Sequence, residues 1–340
     1  MSRGAKIWII AAILLVLAGC MIFGGVMTVL KWDFKNLSTD KFETNKYEIT
    51  EKFSSISINT DTADIVFALS DTEQASVVCY EQKNIRHSVG VNDGSLIINV
   101  TDTRKWYEHI GINFGKSKIT VYLPQGEYSL LSVMTDTGDV EIPKELKFES
   151  INVSGSTGDV TNHASVSETV KIKTSTGKIE IDDISAASLD ISASTGKVTL
   201  SDVKCGGEIK TKVSTGKVFI NDVSCRSVTS NGSTGDISLS NVKIDGRLSI
   251  ERSTGDVRLE DTTASEFSIE TDTGDVDFIV SDADEIYVET DTGHVKGTLL
   301  SEKVFITQSD TGNISVPESV TGGKCKIITD TGNIEISIIR

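Results

Sequence analysis

The most regular feature of the sequence is an alternation of apolar and polar residues around a recurring Thr-Gly pair. Eleven copies of the pair form a regular series, with successive glycines 19 or 20 residues apart. These glycines are Gly138, Gly158, Gly177, Gly196, Gly216, Gly235, Gly255, Gly274, Gly293, Gly312 and Gly332. Val or Ile always stands two residues after the glycine, and the positions seven and five residues before it are apolar in most copies. Alternation with period two on both sides of a turn predicts two short strands per repeat, each with one buried face.

A parallel β-solenoid fits this repeat better than an antiparallel meander or a stacked sandwich, the two alternatives that the pattern leaves open. In a solenoid, equivalent residues of successive coils lie about 4.8 Å apart, so identical residues form columns. Thr precedes the glycine in all eleven copies, and Asp or Asn stands six residues after it in five consecutive copies. These residues are Asp183, Asp202, Asp222, Asn241 and Asp261. Glycine and Asp or Asn suit tight corners. We therefore predict an all-β, single-stack β-solenoid of about twelve 19–20-residue coils.

A membrane anchor is predicted at the N-terminus. After Arg3 and Lys6, the stretch from Ile7 to Leu30 holds 24 residues without a charge. About 20 apolar residues span a bilayer as a helix, and basic residues before such a helix favour a cytoplasmic N-terminus. We expect residues 1–30 to form one transmembrane helix that contacts the membrane through residues 7–30, with the rest of the chain extracytoplasmic.

The same segment also allows a different anchor. Leu17-Ala18-Gly19-Cys20 resembles a lipobox, in which case the segment is a lipoprotein signal and Cys20 is lipidated. Simple secretion fits least, because the apolar run is long for a signal peptide. The transmembrane helix and the lipoprotein both place the domain outside the membrane.

The remaining chain divides into three parts. Residues 31–52 are predicted to form a polar stalk, and residues 53–134 a divergent first coil, a hairpin and a cap. The hairpin is expected around Asn92-Asp93-Gly94. Residues 135–340 form the solenoid repeats. The chain ends on the strand-like run Ile334–Arg340 without a capping helix or proline, and an uncapped edge invites pairing. Self-association or partner binding through this edge is therefore predicted.

The net charge of the chain limits the classes of partner that we expect it to bind. The formal net charge is −16, from 33 basic and 49 acidic residues. Phosphate recognition in nucleic acids needs clustered Lys and Arg, so we expect no nucleic-acid partner. An acidic surface attracts cations instead.

One column of the predicted solenoid is a candidate cation site. The residue two positions before the glycine is Asp in the last four copies: Asp272, Asp291, Asp310 and Asp330. Carboxylates about 5 Å apart repel one another unless water screens them or a cation bridges them. Since Ca²⁺ prefers oxygen ligands, calcium is the ion that this column predicts. The alternative is a solvated column of turn residues, and no other cofactor is expected.

Two further groups of residues are candidate ligand contacts. Lys178, Lys197 and Lys217 directly follow their glycines and would stack on consecutive coils, where they either bind an anionic envelope polymer or pair with neighbouring carboxylates. The second group is Trp106, Tyr107 and His109, in a stretch that mixes aromatic and charged residues. Such stretches are typical of recognition patches. The alternative is that these rings cap the solenoid.

Catalytic and metal-binding motifs are missing from the sequence. There is no CxxC, HExxH, GxSxG, Walker or dinucleotide-binding pattern, and beyond residue 134 the chain has no Trp and one Tyr. Polysaccharide-cleaving β-helices need an aromatic-lined groove, so we expect no enzyme, and a carbohydrate-active enzyme is the weakest alternative. Cys205 and Cys225 occupy equivalent positions of adjacent copies, which allows either a disulfide or a pair of small corner residues.

The repeated Thr-x-Thr-Gly-Asp-Val pattern behind an N-terminal apolar segment resembles a bacterial family of adhesin-like β-strand-repeat proteins of unknown function, of the Gram-positive, membrane-anchored type. The stretches Tyr47-Glu48-Ile49 and Lys105-Trp106-Tyr107 support the same resemblance. It implies a β-solenoid-like fold outside the membrane and carries no catalytic or binding residues. The expected function is non-enzymatic surface display or adhesion. An accessory protein of an envelope-stress signalling system is the alternative.

Overall fold

The computed structural model describes residues 3–32, 41–105 and 115–339. It has one helix, α1 (Arg3–Val29), followed by strands only. The strands are β1 (Phe42–Ile49), β2 (Ser55–Thr60), β3 (Ala63–Leu69), β4 (Ala75–Gln82), β5 (Ile85–Asn92), β6 (Ser95–Asp102), β7 (Ser117–Leu123), β8 (Glu127–Thr137), β9 (Val140–Ile142), β10 (Lys147–Thr157), β11 (Val160–Asn162), β12 (Ser165–Val166), β13 (Thr169–Thr176), β14 (Ile179–Ala186), β15 (Ser188–Thr195), β16 (Val198–Cys205), β17 (Glu208–Thr215), β18 (Val218–Cys225), β19 (Ser227–Thr234), β20 (Ile237–Ile244), β21 (Arg247–Thr254), β22 (Val257–Glu260), β23 (Thr263–Thr273), β24 (Val276–Ile279), β25 (Asp282–Thr292), β26 (Val295–Leu299), β27 (Lys303–Thr311), β28 (Ile314–Ser315), β29 (Gly323–Thr331) and β30 (Ile334–Ile338).

The strands form a parallel β-solenoid of about ten turns, which confirms the predicted fold class and excludes the meander. The strand before each glycine pairs in parallel with its equivalent in the next coil, as β13 does with β15 and β15 with β17. The strands after the glycines pair in the same way, as β14, β16 and β18 show. Residues at one repeat position therefore lie beside each other in consecutive coils.

The core runs along the inside of the coils. Leu189 and Ile191 point inward from β15, and Val198, Leu200 and Val203 from β16, with exposures of 1% or less. These are the positions that the alternation marks as apolar. Together with their equivalents they form one continuous hydrophobic cluster from Ile49 to Ile336.

The repeat glycines are needed because consecutive coils touch at this corner. Gly216 has a φ of 142°, and a Cβ built there would lie 1.7 Å from the carbonyl oxygen of Gly196 in the preceding coil. The other repeat glycines from Gly138 onwards meet a backbone carbonyl at 1.9 to 2.3 Å in the same way. Only glycine has no Cβ, so this corner accepts no other residue without moving the coils apart.

The second corner is also as predicted. Asp183, Asp202, Asp222, Asn241 and Asp261 have φ values between 47° and 53°, in the left-handed region where Asp and Asn are tolerated. Val280, at the same position of the next coil, also has a φ of 53°.

The helix α1 spans 27 residues, and most of its apolar side chains, such as Ile7, Leu15 and Ile22, are exposed. It is long and apolar enough to cross a membrane, by length and composition. A helix of this length extends about 40 Å, which exceeds the hydrocarbon thickness of a bilayer.

The N-terminal end of the solenoid is closed by antiparallel strands. β6 and β7 pair in parallel with β2 and β3 and form an extra coil below the first one. The hairpin partner β5 then pairs with β6, β4 pairs with β7, and β1 pairs with β4, all antiparallel. The hairpin forms at the predicted turn, with Val89 opposite Ile98 and Val91 opposite Leu96.

The predicted stalk at residues 31–52 needs correction, because Phe42–Ile49 is strand β1 of this cap. Its alternating side chains pack against β4, and the ring of Phe42 stacks on Tyr80 with centroids 5.0 Å apart. Residues 33–40 of the proposed stalk lie outside the described residues.

The C-terminal coils are not stacked in chain order, which the sequence did not predict. β29 lies between β25 and β27, and β30 lies between β26 and β28. The last coil is thus inserted ahead of the coil that precedes it in the chain. The inserted coil places Cys325, Ile327 and Ile334 in the core at 0% exposure. The displaced coil carries Phe305, Thr307 and Ile314 at these three positions, so the coil at the solvated end has a threonine where the inserted coil has an isoleucine.

This insertion changes where the open edge lies. The predicted edge, Ile334–Arg340, belongs largely to β30, which is paired on both sides at Ile334. Among the described strands, β27 and β28 are instead paired on one side only at this end. Ile306 and Ile314 on these strands are 49% and 44% exposed. Self-association through the C-terminal end stays a prediction, with β27 rather than the chain terminus as the edge.

Two basic residues of the described coils are buried: Lys303, which forms an ion pair with Asp282, and Arg252. Arg252 is 2% exposed, and its Nη2 donates a hydrogen bond of 2.8 Å to Ser230 Oγ. Its Nε and Nη1 have no hydrogen-bond partner among the described residues. The guanidinium occupies the space left by Gly232 in the preceding coil, since a Cβ there would lie 1.8 Å from Nη1. Burial lowers the pKa of Arg252 to about 10.

Candidate functional site

The most extended polar feature of the solenoid is the line of residues that directly follow the repeat glycines, here called the corner ridge. Its members are Asp139, Asp159, Lys178, Lys197, Lys217, Asp236, Asp256, Asp275, His294, Asn333 and Asn313, in the order in which the coils stack. The glycine corner fixes their backbone, and their side chains project beside one another at the spacing of the coils, about 4.8 Å.

An acidic residue on the corner ridge accepts a hydrogen bond from the next coil. Asp139 Oδ1 accepts from the backbone N–H of Asp159 at 2.9 Å, and Asp159 Oδ1 accepts from the N–H of Lys178 at 2.7 Å. The pattern resumes at Asp236, whose Oδ1 accepts from Asp256 N at 3.2 Å, and at Asp256, whose Oδ1 accepts from Asp275 N at 2.9 Å. The preference for Thr-Gly-Asp in the repeat follows, because this aspartate satisfies a backbone donor that points along the solenoid axis.

Residues other than Asp continue the ladder near the C-terminal end. His294 N donates to Asp275 Oδ1 at 2.8 Å, and His294 Nδ1 accepts from Asn333 N at 2.9 Å. Asn333 Oδ1 then accepts from Asn313 N at 2.9 Å. The last two bonds follow the inserted order of the coils, which supports that order independently of the strand pairing.

The three lysines interrupt this ladder, because an ammonium group accepts no hydrogen bond. Lys178, Lys197 and Lys217 stand where an aspartate would accept from the next coil. As a result, the backbone N–H groups of Lys197, Lys217 and Asp236 have no acceptor within the described part of the chain. The structure therefore brings the predicted lysines together on consecutive coils, beside three backbone N–H groups that have no acceptor in the described part of the chain.

The lysines differ in their partners. Lys217 Nζ lies 2.8 Å from Asp236 Oδ2, and this hydrogen bond lowers the pKa of Asp236. Lys178 pairs with Glu180, and this hydrogen bond lowers the pKa of that carboxyl. Lys197 makes no ion pair with any described residue, and its Nζ lies 4.6 Å from the centroid of the Phe219 ring. Pairing with neighbouring carboxylates, one of the two expectations, thus holds for two lysines of the three.

The predicted calcium column is assembled but does not converge. Asp272, Asp291, Asp330 and Asp310 lie on consecutive coils in that order, and all are exposed. Their carboxylates do not form a group of three with all ligand atoms within 4.8 Å, unlike another cluster in the described residues. Calcium binding by this column stays a prediction.

That other cluster consists of Cys79, Glu81 and His87 inside the N-terminal cap. His87 Nδ1 lies 2.6 Å from Glu81 Oε2, and His87 Nε2 lies 2.8 Å from Thr60 Oγ1. Asn45 Nδ2 donates to Glu81 Oε1 at 2.7 Å. A hydroxyl, an imidazole and a carboxylate in this order resemble a hydrolytic triad. Thr60 is 2% exposed, however, so no substrate reaches its hydroxyl, and the network serves to hold β1, β2, β4 and β5 together.

The predicted aromatic patch, Trp106, Tyr107 and His109, lies outside the described residues. Arg104 and Gly115, near the two ends of that segment, line a cavity of about 400 Å³ at the N-terminal end of the corner ridge. Asp64, Lys116 and Asp139 line it as well.

Four of the five cysteines, those in the β-strands, are core residues, whereas Cys20 on α1 is exposed. Cys205 and Cys225 point inward on adjacent coils, are 5% and 4% exposed, and are both free thiols. Burial raises the pKa of Cys225 to about 12 and also raises that of Cys205. Of the two expectations, the pair of small buried residues describes the structure.

Three features of these sites escaped the sequence reasoning. The first is the hydrogen bond from the backbone to the aspartate after the glycine. Its signal in the sequence is that Asp and Lys alternate at this one repeat position. The buried pair of Arg252 and Gly232 also has one, since both stand three residues before a repeat glycine of adjacent copies. The Cys79, Glu81 and His87 cluster has none, because it joins strands outside the repeat.

Comparison with known proteins finds several solved structures with partial similarity to this one. The structure is similar to that of a "putative adhesin" from Bacteroides fragilis NCTC 9343, with 16% identity, a TM-score of 0.41 and coverage of 88% of this chain and 97% of the other. A "putative adhesin" from Parabacteroides distasonis ATCC 8503 has 10% identity, a TM-score of 0.46 and coverage of 88% and 98%. A "putative lipid binding protein" from the same organism has 18% identity, a TM-score of 0.42 and coverage of 76% and 98%. No curated protein matches the sequence.

The sequence itself matches one family twice, over residues 53–216 and residues 217–340. The two matches together cover all the coils and the cap apart from strand β1, and their border falls at the Gly216 corner, where the coils continue without a break. The chain therefore belongs to the Toastrack DUF4097 family.

Proposed function

We propose that this protein is a non-enzymatic, membrane-anchored adhesion or display protein, which holds a repetitive β-solenoid surface outside the cytoplasmic membrane. The helix α1 is the single-pass anchor with its N-terminus in the cytoplasm. The cap made by β1 to β7 separates the anchor from the coils.

One observation carries the proposal: the corner ridge. The glycine corners and the ladder of side-chain acceptors give each coil the same backbone, while the exposed side chain on the corner changes from Asp to Lys to Asp, His and Asn. A rigid scaffold with a variable line of charged groups suits recognition of an extended ligand, such as an envelope polymer, more than chemistry in an enclosed pocket.

The buried groups support the same interpretation. The hydroxyl, imidazole and carboxylate that come closest to a catalytic arrangement are sealed inside the cap, with His87 3% exposed. Convergent reactive groups in an accessible cleft are the usual mark of an active site.

Surface labelling tests this proposal. Intact cells that produce the full chain are treated with a membrane-impermeant amine reagent, and labelled lysines are identified by mass spectrometry. Lysines of the coils, such as Lys173, Lys204 and Lys212, are expected to react without lysis. Labelling only after lysis would place the solenoid in the cytoplasm and overturn the proposal.

Adhesion is tested on the same cells. Cells that carry the chain are expected to bind surfaces coated with isolated cell-envelope material better than cells from which it is deleted. A variant with α1 replaced by a cleavable signal sequence is the control, since the released protein leaves the cell without adhesive capacity. Equal binding by all three strains would refute the adhesive role.

A further inference from the structure

We propose that the part of the corner ridge around Lys178, Lys197 and Lys217, here called the lysine ridge, binds the phosphate groups of a linear polyphosphate or polyphosphodiester chain. The proposal rests on the proposed function, since it names the ligand class that an extracytoplasmic solenoid would hold.

The first argument is the backbone. In the aspartate coils, a carboxylate oxygen lies 2.7 to 3.2 Å from the next coil's N–H. In the lysine coils the same N–H groups, at Lys197, Lys217 and Asp236, meet no acceptor from the described residues. An oxyanion placed there takes over the role that Asp139 Oδ1 plays for Asp159, since this position holds an acceptor atom in the other coils of the ladder.

The second argument is the charge. Each of these N–H groups has a lysine on its own coil or on the preceding one, and Lys197 is held over Phe219 without a carboxylate partner in the described chain. Hydrogen bonds from backbone amides and ammonium groups to an anion are charge-assisted and thus stronger than neutral ones. The remainder of the ridge is acidic or neutral, so an anionic chain is confined to these coils.

The third argument is the geometry. The donors recur once per coil at the glycine corner, at the coil spacing of about 4.8 Å. A line of donors matches a chain that carries a charged group in every repeating unit, and a phosphate presents several oxygens to donors on neighbouring coils. The exposed hydroxyls of Ser194 and Thr195, on the same corner, lie beside this line. The short length of the ridge limits contact to a few phosphates, and the net charge of −16 repels the rest of a long polyanion.

The test uses the full-length chain in detergent micelles with sodium polyphosphate of defined length as the probe, at low salt, measured by calorimetry. The triple variant Lys178→Gln, Lys197→Gln, Lys217→Gln is expected to bind about tenfold more weakly or worse. The matched control removes three exposed lysines on other faces of the same coils, Lys173→Gln, Lys204→Gln and Lys212→Gln, and is expected to bind as the natural chain does.

The role of the backbone has its own test. Lys197→Asp with Lys217→Asp places carboxylates on the N–H groups and is expected to abolish binding, while the folded state persists. Hydrogen exchange at the amides of Lys197, Lys217 and Asp236 is expected to slow when polyphosphate is added to the natural chain, and not in the Asp variant.

Three outcomes overturn the proposal: no binding of polyphosphate, equal loss in the control variant, or tighter binding of poly-glutamate, which would indicate an acidic polypeptide partner. Each leaves surface labelling of intact cells unaffected, so a failure here is distinguishable from a failure of the proposed function.

Discussion

The steric role of the glycine corner is open to a direct measurement through Gly216→Ala. The new Cβ would lie 1.7 Å from the carbonyl oxygen and 2.7 Å from the carbonyl carbon of Gly196. Both contacts are with backbone, so no side chain can rotate away. The φ of 142° adds strain, because residues with a Cβ rarely adopt it.

The cost follows from these two effects. A residue held in a disfavoured backbone region costs about 1–3 kcal/mol, and an extra methyl in a tightly packed place costs about 1–3 kcal/mol. To relieve the collision the coils must separate, which lengthens the bonds Gly196 N to Thr215 O and Val198 N to Lys217 O, both 2.9 Å. Each such bond contributes about 1 kcal/mol. We expect the free energy of unfolding to fall by about 3–6 kcal/mol in all.

The assay is urea unfolding of the full chain in micelles, followed by far-UV circular dichroism. Gly206→Ala is the matched control, since a Cβ there meets no heavy atom within 4 Å and Gly206 does not have a positive φ. The control is expected to change the free energy of unfolding by less than about 1 kcal/mol. If both variants unfold at the same urea concentration, the collision at the corner does not govern the choice of glycine.

Four further results are expected. Arg252→Met should stabilise the fold by about 1–3 kcal/mol, because it removes a buried charge with unpaired nitrogens. Since the pKa of Arg252 is lowered to about 10, folding disfavours its charged form, so the natural chain should gain stability as the pH rises above about 10 and the variant should not. The free energy of unfolding of Lys197→Asp should exceed that of Lys197→Ala by about 1 kcal/mol, because aspartate gives Lys217 N an acceptor and alanine does not. In alkylation followed by mass spectrometry, the buried thiols should react only after unfolding; they are Cys79, Cys205, Cys225 and Cys325. Sedimentation of the chain at high concentration should show self-association through β27, and Ile306→Lys should prevent it.

Each of these results has a counterpart that contradicts it. An Arg252→Met variant less stable than the natural chain at neutral pH would mean that the guanidinium is better solvated than its burial indicates. Equal free energies of unfolding for the two Lys197 variants would mean that the hydrogen bonds of the ladder do not contribute to stability. Alkylation of these thiols in native conditions would mean that the core opens without global unfolding. A chain that stays monomeric at high concentration would contradict self-association through β27.

Much of the fold follows from the sequence because its repeat is local and its register is set by chemistry. Glycine at a crowded corner, Val or Ile two residues later and Asp at the second corner fix the coil without reference to the rest of the chain. The stacking order of the last two coils cannot be derived from the sequence. Coils that share the same repeat pattern can pair with any other coil that has this pattern. Strand β1 escaped prediction because its partner β4 is antiparallel and lies outside the repeat.

The candidate site was predictable in part. The lysines could be placed on one line from their spacing alone. That they expose backbone donors required the hydrogen bonds of the aspartate coils, because the sequence shows a change of charge and not the loss of an acceptor. The burial of Arg252 was equally unpredictable from the sequence. A charged side chain fits at this inward position only because Gly232 of the preceding coil leaves space for it.

The inserted C-terminal coil bears on the order in which the chain assembles. Synthesis proceeds from the N-terminus, so β27 and β28 are available before β29 and β30 exist. The place beside β25 and β26 is then open to either coil, since both carry the same Thr-Gly frame. The native arrangement forms only if residues 323–338, which carry β29 and β30, pair with β25 and β26. The native order of the coils is therefore reached only after residues 323–338 have been synthesised, and a chain truncated before them would carry a different coil at this end of the solenoid.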